Sequence, residues 1–291
     1  MSGRPAGPGA MLGPAPGVGV VTIVAGRRDH LRRQLEGLAR QDRPAEQLVI
    51  VRMDSDPVDV PAPVAASVRV VDVPLVEERL PLAAARNAGV RALDTEVVVL
   101  LDVDCIPGAT LVSGYAQAAA STPVASLLCG GLRYLSAGIP GPDGDWDEAA
   151  LIAGSAPHPA RPQPEPGVLL RADRHELAWT TSLALRTETF HRIGGFDERF
   201  TGYGGEDTDF GVRAGAAGAG VWWSGDAVAY HQHHATQSPP RQHMIDIVRN
   251  AQLFADLHGW YPMEGWLHTF DREGLIDFDP AAGRLRLLAT P

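Results

Sequence analysis

The chain has 291 residues, a formal net charge of −10, 45% hydrophobic residues and 21% charged residues. That suffices for one large α/β domain, or two small ones, with a real core and excludes disorder along the whole length. All 25 Lys+Arg positions are arginine, which excludes Walker-type nucleotide hydrolysis, protein-kinase chemistry and pyridoxal-phosphate catalysis, each of which needs a lysine amine.

The acidic balance also opposes non-specific nucleic-acid binding, so an anionic substrate would need a local arginine cluster or a metal ion. Cys105 and Cys129 lie in apolar, strand-like surroundings and do not read as a disulfide framework, which points to a reducing, cytoplasmic setting. No apolar run is long enough for a transmembrane helix.

Residues 1–17 are rich in Gly and Pro without an apolar stretch and are expected as a disordered tail, not a signal peptide. Val18–Val24 is a β-branched run and the first predicted strand. Leu31, Leu35 and Leu38 then recur at helical spacing. Residues 47–51 predict a second strand, followed by the turn signal Asp54-Ser55-Asp56-Pro57. Residues 68–73 predict a third strand. Pro81 suits the first position of a helix that continues over 82–93. Residues 96–101 form a near-continuous apolar run, expected as a central strand buried on both faces, and it ends in Asp102-Val103-Asp104.

This alternation predicts an open, mostly parallel sheet flanked by helices, with ligands beyond the carboxyl ends of the strands. Residues 136–167, dense in Pro, Gly and Asp, are expected as a long surface loop or lid. Residues 180–185 return to strand character, and 206–217 predict a helix weakened by Gly211 and Gly215. Short strands are expected over 221–223 and 227–230, and a helix over 244–257. The expected organisation is one domain over 18–265, with a nucleotide-binding half (18–135), the loop (136–167) and an acceptor half (168–265). Residues 266–291 form a C-terminal extension.

Four constellations carry chemistry. Asp102 and Asp104, two apart at a strand end, would repel and raise each other's pKa, a cost that a divalent cation removes. Hard oxygen ligands beside a diphosphate suit Mg²⁺ or Mn²⁺, whereas the bland alternative is a polar turn. Gly202-Tyr203-Gly204-Gly205 feeds a helix start carrying Glu206, Asp207 and Asp209. Helix capping accounts for acids there but not for the preceding loop, and such a carboxylate can serve as a general base towards a sugar hydroxyl. In Tyr230-His231-Gln232-His233-His234 a strand-end histidine can ligate a metal, whereas the bland alternative is a solvated or core-edge histidine. No cysteine pair accompanies it, which disfavours zinc, and His with two Asp suits Mn²⁺ better than Mg²⁺. Arg86, in Ala84-Ala85-Arg86-Asn87-Ala88-Gly89, could contact a diphosphate or a base, or simply be an exposed helix arginine.

Together with Thr22–Arg27 and the run Ile193-Gly194-Gly195-Phe196-Asp197-Glu198, these segments resemble the GT-A glycosyltransferases of family 2, with a galactosyltransferase-type C-terminal half. The likeness spans roughly 18–235. It implies a Rossmann-like GT-A fold and a metal-dependent, inverting transfer of a hexose from a nucleotide-diphosphate sugar, with UDP-galactose as an example. The acceptor could be a glycan, lipid, natural product or peptide. By resemblance, Gly26, Arg27, Asp54, Arg86, Asn87, Asp102 and Gly195 would hold the nucleotide sugar. Asp102, Asp104 and His231 would hold Mn²⁺ or Mg²⁺. Asp207 would be the base, and Glu206, Tyr203 and Gly205 would bind the acceptor. Tyr203 stands where galactosyltransferases of this type often have tryptophan. The rival readings are an inactive nucleotide-sugar-binding protein, a metal-dependent nucleotide-sugar phosphohydrolase and a non-enzymatic scaffold.

Overall fold

The computed structural model describes residues 15–60, 64–141, 146–234 and 238–288. The expected tail therefore lies outside the described residues over 1–14. The chain runs β1 (Val18–Val24), α1 (Arg28–Ala39), β2 (Ala45–Arg52), β3 (Ala65–Asp72), α2 (Leu82–Arg91), β4 (Val97–Leu101), β5 (Cys105–Pro107) and α3 (Leu111–Ser121). It continues through β6 (Ser126–Leu135), α4 (Glu148–Ala153), β7 (Ser155–Pro157), β8 (Leu169–Arg171), β9 (Ser182–Arg186), α5 (Thr187–Ile193), α6 (Glu206–Ala216) and β10 (Gly220–His231). It ends with α7 (Met244–His258), α8 (Glu264–Arg272), β11 (Ile276–Asp279) and β12 (Arg284–Leu287).

The large sheet has the order β3-β2-β1-β4-β9-β6-β10-β5, with β7 on β6 and β8 on β10. Its first four strands are parallel. β9 enters antiparallel between β4 and β6, and β10 again runs parallel to β6. The period-2 alternation of a strand sorts its side chains to two faces. Val97, Val99 and Leu101 of β4 face α1 and α3, whereas Val98 and Leu100 face α2, α5 and α6. Every residue of β4 is buried, as the apolar run predicts. Gly89 of α2 lets the helix lie directly on the sheet, because a Cβ there would stand 2.3 Å from Val21 Cγ1.

Several expected boundaries shift for local reasons. Pro81 is the residue before the helix, which starts at Leu82 and ends at Arg91. The two short strands expected after residue 220 are one strand, β10, with a register shift between Ser224 and Ala229. Gly225 sits in that irregular stretch, where Glu165 O would be 2.0 Å from a Cβ. The 136–167 segment, expected as an irregular loop, contains α4 and β7. Asp147 caps α4 by accepting from Ala150 N at 2.7 Å, and Leu151 packs with Ile106, Leu135 and Tyr230. A six-residue helix is too short to show periodicity in sequence.

The expected boundary at 265/266 falls inside α8. α7, α8 and the β11–β12 hairpin share a third core around Ile247, Phe270 and Phe278. His258 at the end of α7 places Nε2 2.9 Å from Asp209 Oδ1, tying this unit to α6. Among the described residues no helix is long and apolar enough to cross a membrane.

Candidate active site

The buried strand β4 delivers Asp102 and Asp104 to the carboxyl end of the parallel strands, and the chain then turns, with Cys105 N donating to Asp102 O at 2.9 Å. β5 pairs antiparallel with β10, so that His231 lies opposite Cys105, and Gln232 N donates to Asp104 O at 2.7 Å. Two segments 127 positions apart thus meet at Asp104. His231 Nε2 is 3.5 Å and His234 Nε2 3.4 Å from Asp104 Oδ2. One ligand atom from each of Asp104, His231 and His234 lies within 4.8 Å of the others. Arg27, held left-handed at φ 40, also reaches Asp104 Oδ2 at 2.8 Å.

Burial opposes ionisation of Asp104, but the His234, His231 and Arg27 groups outweigh it and hold its carboxyl well below the usual range. Burial lowers the His231 pKa, which favours the neutral imidazole that a metal ligand requires. The donor set therefore fits a divalent cation of borderline character. Asp102, expected as a ligand, does not join this group; its Oδ1 accepts from Arg86 at 3.0 Å. His234, to which the resemblance assigns no role, joins it as well.

Arg86 is not an exposed helix arginine. It is 5% exposed and bridges Asp102 to Glu206, donating to Glu206 Oε1 at 2.8 Å. Burial works against its charge, yet Asp102 and Glu206 raise its pKa above the ordinary value. Burial in turn pushes the Asp102 carboxyl up, with Arg86 opposing. Glu206 opens α6 after Gly205 at φ 94, and its Oε2 is buried without a hydrogen-bond partner among the described residues. Next to it Asp207 is raised to about 7 by burial and by the charges of Glu206 and Asp102. Four carboxylates (Asp102, Asp104, Glu206, Asp207) face two guanidiniums (Arg27, Arg86). The excess of up to two negative charges matches one divalent cation.

The remaining expected residues fall into two groups. Gly26 N donates to Asp54, whose Oδ1 accepts from Asp56 N at 3.0 Å, so Asp54 fastens the β1–α1 loop. Asn87 spends its whole amide on the turn before α6: Nδ2 donates to Phe196 O and Glu198 Oε1, and Oδ1 accepts from Phe196 N. Gly195, at φ 71, lies against it, with Asn87 Oδ1 2.7 Å from where a Cβ would be. Both Asn87 amide hydrogens and one lone pair of its oxygen are thus engaged within the protein, so Asn87 shapes the turn before α6. Tyr203, 39% exposed, stacks on His243 with centroids 4.7 Å apart and lies 6.3 Å from Trp266. His30 is edge-on to His234 at 6.1 Å. His30, His243 and Trp266 were not singled out in sequence, because each is a lone residue on a helix or turn with no local pattern.

A family model described as the N-terminal domain of galactosyltransferase matches residues 175–234. A validoxylamine A glucosyltransferase from Streptomyces hygroscopicus subsp. jinggangensis (strain 5008) is 29% identical over 220 residues, 70% of this chain and 52% of the relative. An N-acetylglucosaminyl-diphospho-decaprenol L-rhamnosyltransferase from Mycobacterium tuberculosis (strain CDC 1551 / Oshkosh) is 34% identical over 97 residues, 32% of this chain and 31% of the relative. The chain spans about half the length of the first of these. Among solved structures, GalNAc-T7 with UDP, GalNAc and Mn²⁺ superposes with TM-score 0.53 at 17% identity, covering 76% of this chain and 44% of that one. S. aureus TarS 1–349 in complex with UDP-GlcNAc gives TM-score 0.56 at 15% identity, covering 82% and 65%. At these identities the structural likeness establishes the fold.

Proposed function

We propose that this chain is a family 2 GT-A glycosyltransferase that moves a hexose from a UDP-linked donor to an acceptor hydroxyl with inversion at the anomeric carbon, a reading supported by the family-model match and the glycosyltransferase relatives. One observation carries this reading: Asp104, His231 and His234 converge on one point, while Asp207 stands with a pKa of about 7 beside Asp102 and Glu206. A cation site and a base in one polar cluster are what displacement of a diphosphate by a hydroxyl needs. The UDP bound in neighbouring structures, and the glucosyl and rhamnosyl transfers named for relatives, support a UDP-hexose donor. UDP-glucose and UDP-galactose are the first donors to test.

Asp104, His231 and His234 would hold the cation, Mn²⁺ by their mixed carboxylate and imidazole character. When bound, it supplies Lewis-acid stabilisation of the departing diphosphate. Arg27 adds a cation for the donor, with Gly26 and the Asp54-fastened loop shaping its approach. Arg86 fixes Asp102 on the donor side and Glu206 on the acceptor side. Glu206 Oε2, without a partner among the described residues, accepts a hydrogen bond from an acceptor hydroxyl, and the Tyr203 ring and Gly205 backbone line the acceptor's approach. The acceptor oxygen forms a bond to the anomeric carbon as the carbon–oxygen bond to the diphosphate breaks. Its proton passes to Asp207, and the electron pair leaves with UDP.

A thermal-shift experiment tests the cation assignment. UDP at about 100 times its dissociation constant stabilises by about 2.7 kcal/mol, and in wild type removing Mn²⁺ should take away at least about half of this rise, its metal-dependent part. Asp104→Asn and His234→Ala should each abolish it. An undiminished metal-dependent rise in both variants would remove these residues from the site.

A further inference from the structure

We propose that Asn250, on α7, is a positioning residue: its side-chain amide moulds the 201–205 loop and thereby sets where Glu206 and Asp207 stand. The residue lies outside the segment matched by the family model, and its own site is the underside of the loop. Asn250 is 0% exposed. Its Nδ2 donates to Thr201 O at 3.0 Å, Tyr203 O at 3.3 Å and Gly204 O at 2.8 Å. Its Oδ1 accepts from Arg249 Nη2 at 3.3 Å, which fixes the amide with its nitrogen towards the loop. The flipped amide would aim an oxygen at three carbonyls.

The loop needs such a template. Gly202, Gly204 and Gly205 have φ of +69, +92 and +94, a course no helix or sheet ladder can hold. Its carbonyls turn inwards and must find donors there. α7 supplies them, together with an acceptor for the Tyr203 N–H, from one face, since residues i, i+3 and i+4 are neighbours on a helix surface. Asp246 accepts from Tyr203 N at 3.4 Å, Arg249 donates to Thr201 O, and Asn250 takes the centre. Only a planar group with two donor hydrogens and an acceptor serves both the carbonyls and Arg249. Aspartate has the shape and lacks the donors, and leucine lacks both.

The catalytic arm of the test rests on the transferase reading above, whereas the exchange arm does not. In Asn250→Asp, amide hydrogen exchange should accelerate in peptides covering 200–208 and stay unchanged over β1, β4 and β10. Misplacing the base should lower kcat about 10²-fold, while the affinity for UDP with Mn²⁺ stays within about twofold, because the cation cluster is carried by other elements. Arg249→Gln, at a half-exposed position, should change both readouts in the same direction by less, and decides the matter if Asn250→Asp does not fold. Unchanged exchange over 200–208 in a folded Asn250→Asp would overturn the proposal, as would parallel losses of turnover and UDP affinity. If wild type proves inactive on every UDP-hexose while the exchange effect persists, the transferase reading fails and the positioning role stands.

Discussion

Asp207→Asn should lower kcat by roughly 10²–10⁴, the usual contribution of a general base, while UDP and Mn²⁺ bind as in wild type. Burial and the neighbouring Glu206 and Asp102 charges raise the Asp207 pKa to about 7. The base works only when ionised, so wild-type activity should fall as pH drops through about 7, and the residual activity of Asp207→Asn should lack that limb. Stability should move the opposite way. An unfolded aspartate has a pKa near 3.9, so between about pH 4 and pH 7 the folded state holds the extra proton and wild-type stability falls as pH rises. Asparagine removes that penalty. The variant should therefore melt higher than wild type at pH 8 and show little advantage at pH 4. Equal turnover in wild type and variant would take Asp207 out of the mechanism.

Arg86→Met should cost about 3–5 kcal/mol of stability, the range found when one partner of a buried ion pair is removed. Glu206 is 5% exposed, and among the described residues the hydrogen-bond partner of its Oε1 is Arg86. Asp102 would lose its ion-pair partner on the same substitution. Methionine matches much of the arginine stem, so lost charge rather than a cavity dominates. Arg86→Lys keeps the charge but cannot span both carboxylates as the guanidinium fork does, and should recover only part of the loss. Urea denaturation with an unchanged m value would measure the effect. A variant as stable as wild type would show that the bridge is not a structural keystone.

The parts of this site that could be read from sequence share one property: they are local. The apolar run before Asp102 announces a buried strand, and the position of the two aspartates at its end follows from the chain itself. The glycines before Glu206 announce a loop with positive φ. What escaped depends on partners far away in the chain. Nothing near Arg86 signals that its guanidinium is buried between residues 16 and 120 positions on. Asn87 carries a polar side chain on a helix, and its commitment to Phe196 and Glu198 comes from how α2 packs against the turn before α6. His231 and His234 are equivalent by pattern, and both reach Asp104 because β5 pairs with β10. Asn250 occupies a buried helix face where an apolar residue would be the simpler choice, and only the three carbonyls beneath the loop explain it. The α4 helix was hidden for another reason, since six residues stabilised by one cap and one buried leucine leave no period to detect.

The most direct test of the account is a calorimetric titration of UDP into the protein with Mn²⁺ and again with EDTA, with GDP and dTDP as comparisons. Saturable one-site binding of UDP that weakens by at least about tenfold, roughly 1.4 kcal/mol, when the metal is removed, and that exceeds the binding of GDP and dTDP, is the predicted result. Absence of nucleotide binding with or without metal would contradict it, and the cluster of Asp102, Asp104, Glu206 and Asp207 would then need another explanation.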